Sequence, residues 1–158
     1  MTKRAARMMI ERVDPARSAQ MALVHNRDTK PEMRVRRALH AAGLRYRLHA
    51  RNLPGRPDIV FPSRRLALFV HGCFWHRHTD PNCQLTRLPK SRLDFWLPKL
   101  EGNRERDARN TSAIEAKGLN VEIVWECQVT DLNFQVLINR ILATYKVRRS
   151  SEKRSPDS

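Results

Sequence analysis

The sequence has no apolar run approaching the roughly 20 residues that a membrane span requires, so no membrane-crossing helix is expected and no membrane partner. Its basic first dozen residues include Met8, Met9 and Ile10 but lack the long apolar stretch and cleavage site of a secretory signal. Glu11 and Asp14 argue against a mitochondrial presequence. Cysteine is scarce: three residues cannot all pair within one chain, which argues for a reduced, cytoplasmic setting in which clustered Cys and His suggest metal before disulfide. Acidic residues are scarce too, 16 against 31 Lys and Arg, leaving a net charge of +15. Such an excess repels itself in the folded state. Nucleic acid is its usual reason, because neutralising phosphates releases counterions and supplies sequence-independent affinity. A basic surface that is merely solvated or ribosome-associated is the alternative. No internal repeat is visible, and 158 residues make one domain.

What is present reads as alternating elements. Asp14-Pro15 opens a short helix through about Val24. Thr29 caps a second one, with Glu32 three residues on as in a capping box, and Val35, Ala38, Leu39 and Ala42 form its apolar face before Gly43. Leu44 to Ala50 alternates as a half-exposed strand with Tyr46 and Leu48 on one side. The Asn52–Pro57 turn delivers Asp58 to a short strand, Ile59–Phe61. Leu66–Val70 is a continuous apolar run typical of a central strand buried on both faces. An irregular segment from His71 to about Lys90 follows, then a long helix over roughly 94–117, bent or broken near Pro98 and Gly102. Val121, Ile123 and Trp125 alternate in another strand, and Phe134 to Tyr145 closes the fold as an amphipathic helix. The expected division is a flexible basic extension over 1–13, a folded domain over 14–145 and a disordered basic tail over 146–158. The order α-α-β-β-β-α-β-α describes an α/β fold, a three-layer sandwich around a small mixed sheet flanked by helices.

The densest feature is His71-Gly72-Cys73-Phe74-Trp75-His76-Arg77-His78, followed by Cys83. Cys73, His78 and Cys83 are spaced as tetrahedral zinc accepts from a flexible loop, and Cys127, at the end of a strand, could close the site. A three-thiol, one-imidazole set leaves no open position, so such a zinc would be structural. The bland alternative is unrelated thiols, with Cys127 a small buried residue. His76 is then left over as a candidate general base for water. Asp58 could hold a hard cation such as Mg²⁺, though Asp residues in such turns often bond their own backbone. Phe74-Trp75 and Phe95-Trp96 lie in basic sequence, where aromatics can wedge between or stack on bases; core burial is the simpler reading for Phe95 but not for Phe74 and Trp75.

Taken with Thr29-Lys30-Pro31-Glu32, Leu53-Pro54-Gly55-Arg56-Pro57-Asp58, Asp94-Phe95-Trp96, Asn103-x-x-Arg106-Asp107 and Val124-Trp125-Glu126-Cys127, the His71–His76 string resembles the very short patch repair (Vsr) DNA mismatch endonuclease family over about residues 14–145. The resemblance implies a restriction-endonuclease-like fold with a structural zinc site, and Mg²⁺-dependent nicking of one strand beside the thymine of a T·G mismatch left by deaminated 5-methylcytosine. By position, Asp58 and the Val70 backbone carbonyl would hold Mg²⁺, and His76 would activate water. Glu32 would assist near the metal-bound waters or His76, and His71 would lie beside the scissile phosphate. Zinc would be held by Cys73, His78, Cys83 and Cys127. Phe74, Trp75 and Trp96 would wedge beside the mismatch with Met21 entering from the opposite groove, and Lys99, Asn103 and Glu126 would contact bases. No Glu-x-Lys pair follows Asp58 as in ordinary restriction nucleases, so His76 must take that lysine's part.

The expected partners are double-stranded DNA with a T·G mismatch, mismatch-repair proteins and a DNA polymerase, for a monomer associated with a bacterial nucleoid. Two other readings stand beside this one: a sequence-specific nicking or restriction endonuclease acting on matched DNA, and a zinc-stabilised DNA-binding module without catalysis. The last would leave Asp58, Glu32 and His76 without a joint purpose.

Overall fold

The computed structural model describes residues 27–130 and 132–152, with side chains described as far as 146. The expected helix over 14–24 and Met21 lie outside the described residues. Helix α1 (Lys30–Ala41) begins where expected: the Thr29 hydroxyl accepts the Glu32 N–H at 3.4 Å, Pro31 occupies the first turn, and Gly43 follows the helix with a positive φ of 87°. Val35 and Leu39, four residues apart, are fully buried.

The expected strand over Leu44–Ala50 shrinks to β1 (Arg47–Leu48), and both residues are exposed. Tyr46 instead turns inward, donating its hydroxyl to the Arg36 carbonyl and packing edge-on against Phe61. Alternation alone therefore overstated this strand. β2 (Ile59–Phe61) and β3 (Leu66–His71) pair antiparallel, and the tight turn between them uses Arg65 at a φ of 49°. β4 (Asn120–Trp125) runs parallel to β3, with His71 in register with Trp125. The sheet order is β1-β2-β3-β4, a small mixed sheet. A parallel pair needs a long crossover, which is supplied by the irregular segment and helix α2 (Leu93–Ala116). α2 continues unbroken through Pro98 and Gly102, contrary to the expected break. The closing helix α3 (Phe134–Glu152) also corrects an expectation: it runs on past Tyr145, because no Gly or Pro lies between Lys146 and Glu152 to stop it. Residues 153–158 are outside the described residues.

The strands' two-residue period divides the core. Ile59, Phe61, Leu66, Leu68 and Val124 face α1 and α3, where Val35, Leu39, Leu137, Ile138 and Ile141 pack on them. Val60, Ala67 and Phe69 face α2 and meet Ile114. β3 is thus covered on both sides, as its unbroken apolar run requires, and each large buried side chain contributes about 1.5–3 kcal/mol of transfer free energy. Three layers result, with α2 alone on one face. The same alternation puts His71 on the Phe69 side, under α2, and that face carries the site.

Candidate active site

The cleft opens where the carboxyl end of β3 meets the start of β2. It encloses about 1160 Å³, and Asp58, Val70, His71, Trp75, His76, Lys99, Asp107 and Glu126 are among the residues lining it. Asp58 precedes β2, so the antiparallel pairing carries it alongside the end of β3. There its Oδ2 accepts the Val70 N–H at 2.7 Å. Two residues in left-handed conformations, His49 and Arg56, flank this delivery, and Gly55 between them leaves no space for a side chain: a Cβ there would lie 2.8 Å from Asn110 Nδ2 of α2. Burial pushes the Asp58 carboxyl up to about 6, and the nearby Glu32 charge adds to the effect against the Val70 bond. A cation beside this carboxyl would favour its ionised form, and Mg²⁺ needs one or two protein oxygens beside water and phosphate.

His71 and His76 stack at 3.8 Å with planes 10° apart. His71 is buried against Phe69 and Trp125, and that burial, with the neighbouring His76, lowers its pKa to about 3. It therefore stays neutral. His76 is partly exposed, and its Nδ1 lies 2.5 Å from Asp107 Oδ2. The carboxylate can only accept, so Nδ1–H donates and Nε2 carries the free lone pair. His71, His76 and Asp107 bring one donor atom each within 4.8 Å of one another. Asp107 was not among the expected site residues. The signal available was its place in the Asn103-x-x-Arg106-Asp107 string, but a lone acid on a basic helix has the look of a solvated face.

One turn before Asp107 on α2, the Asn103 amide donates to the Trp75 carbonyl at 3.1 Å, so the helix clamps the loop that carries His76. Asn103, expected among base contacts, also lines the cleft. Glu126 accepts the Cys73 N–H at 3.4 Å and still lines the cleft. Glu32 is near enough to Asp58 for its charge to raise that carboxyl. It is buried, pairs with Arg36 and sits 3.5 Å from His49 on the Asp58 side.

Beside the cleft, Cys73, His78, Cys83 and Cys127 present ligand atoms all within 4.8 Å of one another. Cys127 donates its N–H to Cys73 Sγ at 3.4 Å, and its own sulfur lies 3.4 Å from His78 Nδ1. Stacking on Trp125 at 4.3 Å orients the His78 ring. Burial raises the Cys73 and Cys127 thiols and lowers His78. A metal ion is what would convert such buried thiols to thiolates, and this closed set could hold one.

Phe74, Trp75 and Trp96 meet edge to face, with ring centroids 5.2–5.9 Å apart. The Lys99 ammonium sits 5.9 Å from both tryptophan rings. Phe95, expected in the core, is 40% exposed: it joins the cluster through Trp96 and lies under Lys99 and Arg92. Trp96 is half-buried beside it, and the rest of the first turn of α2 is exposed.

Residues 11–83 match the family described as DNA mismatch endonuclease Vsr. A Type II nicking enzyme of Xanthomonas oryzae pv. oryzae, V.XorIIP, is 54% identical over 125 residues, 78% of this chain and 90% of that protein. DNA mismatch endonuclease Vsr of Escherichia coli K12 is 44% identical over 111 residues, 70% of this chain and 69% of that protein. Among solved structures, the catalytic domain of homing endonuclease I-Bth0305I is similar in fold, with a TM-score of 0.51 at 17% identity, covering 76% of this chain and 97% of that one. The restriction-endonuclease-like architecture is the one expected.

Proposed function

The chain belongs to the DNA mismatch endonuclease Vsr family and is a DNA endonuclease, and on that premise we propose that it nicks one strand of duplex DNA beside the thymine of a T·G mismatch, starting very short patch repair. The carrying observation is one cleft that holds Asp58, His71 and the His76–Asp107 pair, with the Phe74–Trp75–Trp96 cluster next to it. In this reading Asp58 and the Val70 carbonyl hold Mg²⁺. When bound, the ion supplies charge that stabilises the phosphate oxygens and the leaving oxygen.

The chain's own residues do the rest. His76 Nε2 takes a proton from the attacking water as the water oxygen bonds to phosphorus and the P–O bond of the strand breaks. Asp107 holds the tautomer that leaves Nε2 free and stabilises the imidazolium that forms. His71, kept neutral by burial, offers a ring N–H to a phosphate oxygen without competing for the water's proton. Glu32 acts through its charge on the Asp58 side. Cys73, His78, Cys83 and Cys127 hold a structural zinc that fixes the start of the loop and so the place of His76.

Selectivity has a physical source, since a T·G wobble step costs less to unstack than a matched one. Mismatch-repair proteins and a DNA polymerase would act on the nick. Nicking of a matched sequence is the second reading, favoured by the printed name of the Xanthomonas relative, a Type II nicking enzyme. Single-turnover nicking of T·G and T·A duplexes of one sequence separates the two: the proposal requires cleavage of the T·G duplex far in excess of the T·A duplex, and equal rates would hand the function to the second reading.

A further inference from the structure

Beside Asp58 lies a second group of ligand-type side chains, of which the proposed chemistry uses only the charge of Glu32. Asp28, Glu32 and His49 bring a donor atom each within 4.8 Å of one another, and His49 is tied to Asp58 by its N–H to the Asp58 carbonyl at 3.1 Å. Two carboxylates and an imidazole at that separation are a donor set for a divalent ion. The centre of this group is already taken. Arg36, one turn after Glu32 on α1, is buried, and its NH2 donates to Glu32 Oε1 and to His49 Nε2, the latter at 2.7 Å, while NH1 meets Asp28 Oδ1 at 2.8 Å. A guanidinium has donors only, so His49 must offer it a lone pair, and all three ligand atoms are turned toward the arginine.

We propose that Arg36 is a resident cation of this active site: its guanidinium fills the Asp28–Glu32–His49 group, withholds Glu32 from the exchangeable ion, and leaves Asp58 as the single carboxylate that ion receives. This rests on the reading of Asp58 as the ion's holder. Arg36 is on this account a positioning residue. It never touches the phosphate, and it sets how many divalent ions the cleft takes. The arrangement also explains why Glu32, three residues after its capping threonine, does not complete a capping box by bonding back to the Thr29 N–H: its carboxylate is held by Arg36.

The test is Mn²⁺ titration of the zinc-replete full chain without DNA, with bound ion counted by electron paramagnetic resonance. Wild type should take a single Mn²⁺ that Asp58→Asn loses. Arg36→Met, similar in bulk but uncharged, should take a second Mn²⁺ into the vacated group, and Arg36→Lys should return the count to that of wild type. Arg36→Met with an unchanged count overturns the proposal, as does a second Mn²⁺ in wild type that Glu32→Gln removes. Should Arg36→Met not fold, Glu32→Gln decides: Mn²⁺ affinity within about threefold of wild type is expected if the carboxylate is committed to Arg36, and a larger drop contradicts it. Retention of Mn²⁺ by Asp58→Asn is a separate failure, that of the Asp58 reading, and is visible in that arm alone.

Discussion

Asp58 shows how a single side chain can be shaped for function at a cost to folding. Its carboxyl sits near 6 in the folded protein against 3.8 ordinarily, chiefly through burial. The proton is therefore bound more tightly folded than unfolded, so the residue begins to penalise folding as pH rises past the unfolded value of 3.8, and the penalty is complete above about 6. Two units correspond to about 3 kcal/mol at most. Asp58→Asn should thus raise unfolding stability by about 1–3 kcal/mol at pH 8 and by only about 0.5 kcal/mol near pH 4, measured by urea denaturation at both. No gain at pH 8 would mean the carboxylate is already compensated. By the same linkage, Mg²⁺ competes with the proton. Its affinity for the DNA-free chain should fall about tenfold per pH unit below about pH 6 and level off above it, a profile that calorimetry would read and that a flat line would contradict. At this scale the sequence was informative where chemistry is crowded. Asp58 after its turn and His76 beside Cys73 stood out, whereas Asp107 did not, because a helix surface rich in charge gives no sign of which carboxylate turns inward. Nor do residue types reveal that His49 and Arg56 adopt left-handed backbones, since that region is uncommon for any residue other than glycine.

The element that matters most has almost no regular structure. The loop from Gly72 to Arg92 contains one short 3₁₀ turn, and it is held by α2 through Asn103 and Asp107 and by the thiol cluster. Removing the cluster's metal should therefore loosen His76 as well as the loop. Zinc binding in small domains is worth on the order of 10 kcal/mol, so chelation or Cys127→Ala should lower the melting temperature markedly, and elemental analysis should find about one zinc per chain. Absence of stoichiometric zinc would remove the metal from the account. The aromatic cluster makes a separate claim. Trp75→Ala should lose roughly 1–3 kcal/mol of binding on T·G duplex and much less on T·A, where intact stacking opposes insertion. Equal losses on both would reduce Trp75 to packing against Phe74 and Trp96. Which elements were legible follows from how each is stabilised. β3 could be read because a strand buried on both faces must be apolar throughout. β1 was legible only in part, because alternation marks a strand over 44–50 without showing that only Arg47 and Leu48 pair with a neighbour. Phe95 was not legible, because residue type does not show that the first turn of α2 leaves it exposed. The end of α3 was placed early because apolar periodicity stops at Tyr145 while helix propensity does not.

Across the whole molecule, charge and architecture serve the same partner. In a chain of net charge +15 the cleft is lined by Arg27, Arg51, Arg56, Lys99 and Arg106, and the acidic residues lining it bond histidine or backbone partners. Among the described residues no helix is long and apolar enough to cross a membrane. Binding to matched duplex should then weaken steeply with salt, by on the order of 10³–10⁵ between about 50 and 200 mM if six to ten phosphates are contacted. A shallow log–log slope would show that the basic surface serves something other than DNA. Recognition and chemistry, however, are assigned to different residues, the aromatic cluster to the first and Asp58 with His76 to the second. The most direct measurement of that division is paired binding and nicking of a T·G duplex by Asp58→Ala and His76→Ala. Both variants should bind it within about threefold of wild type, while nicking falls by at least the 10²–10⁴ expected of a lost general base. Nicking that survives either substitution would contradict the active site described here.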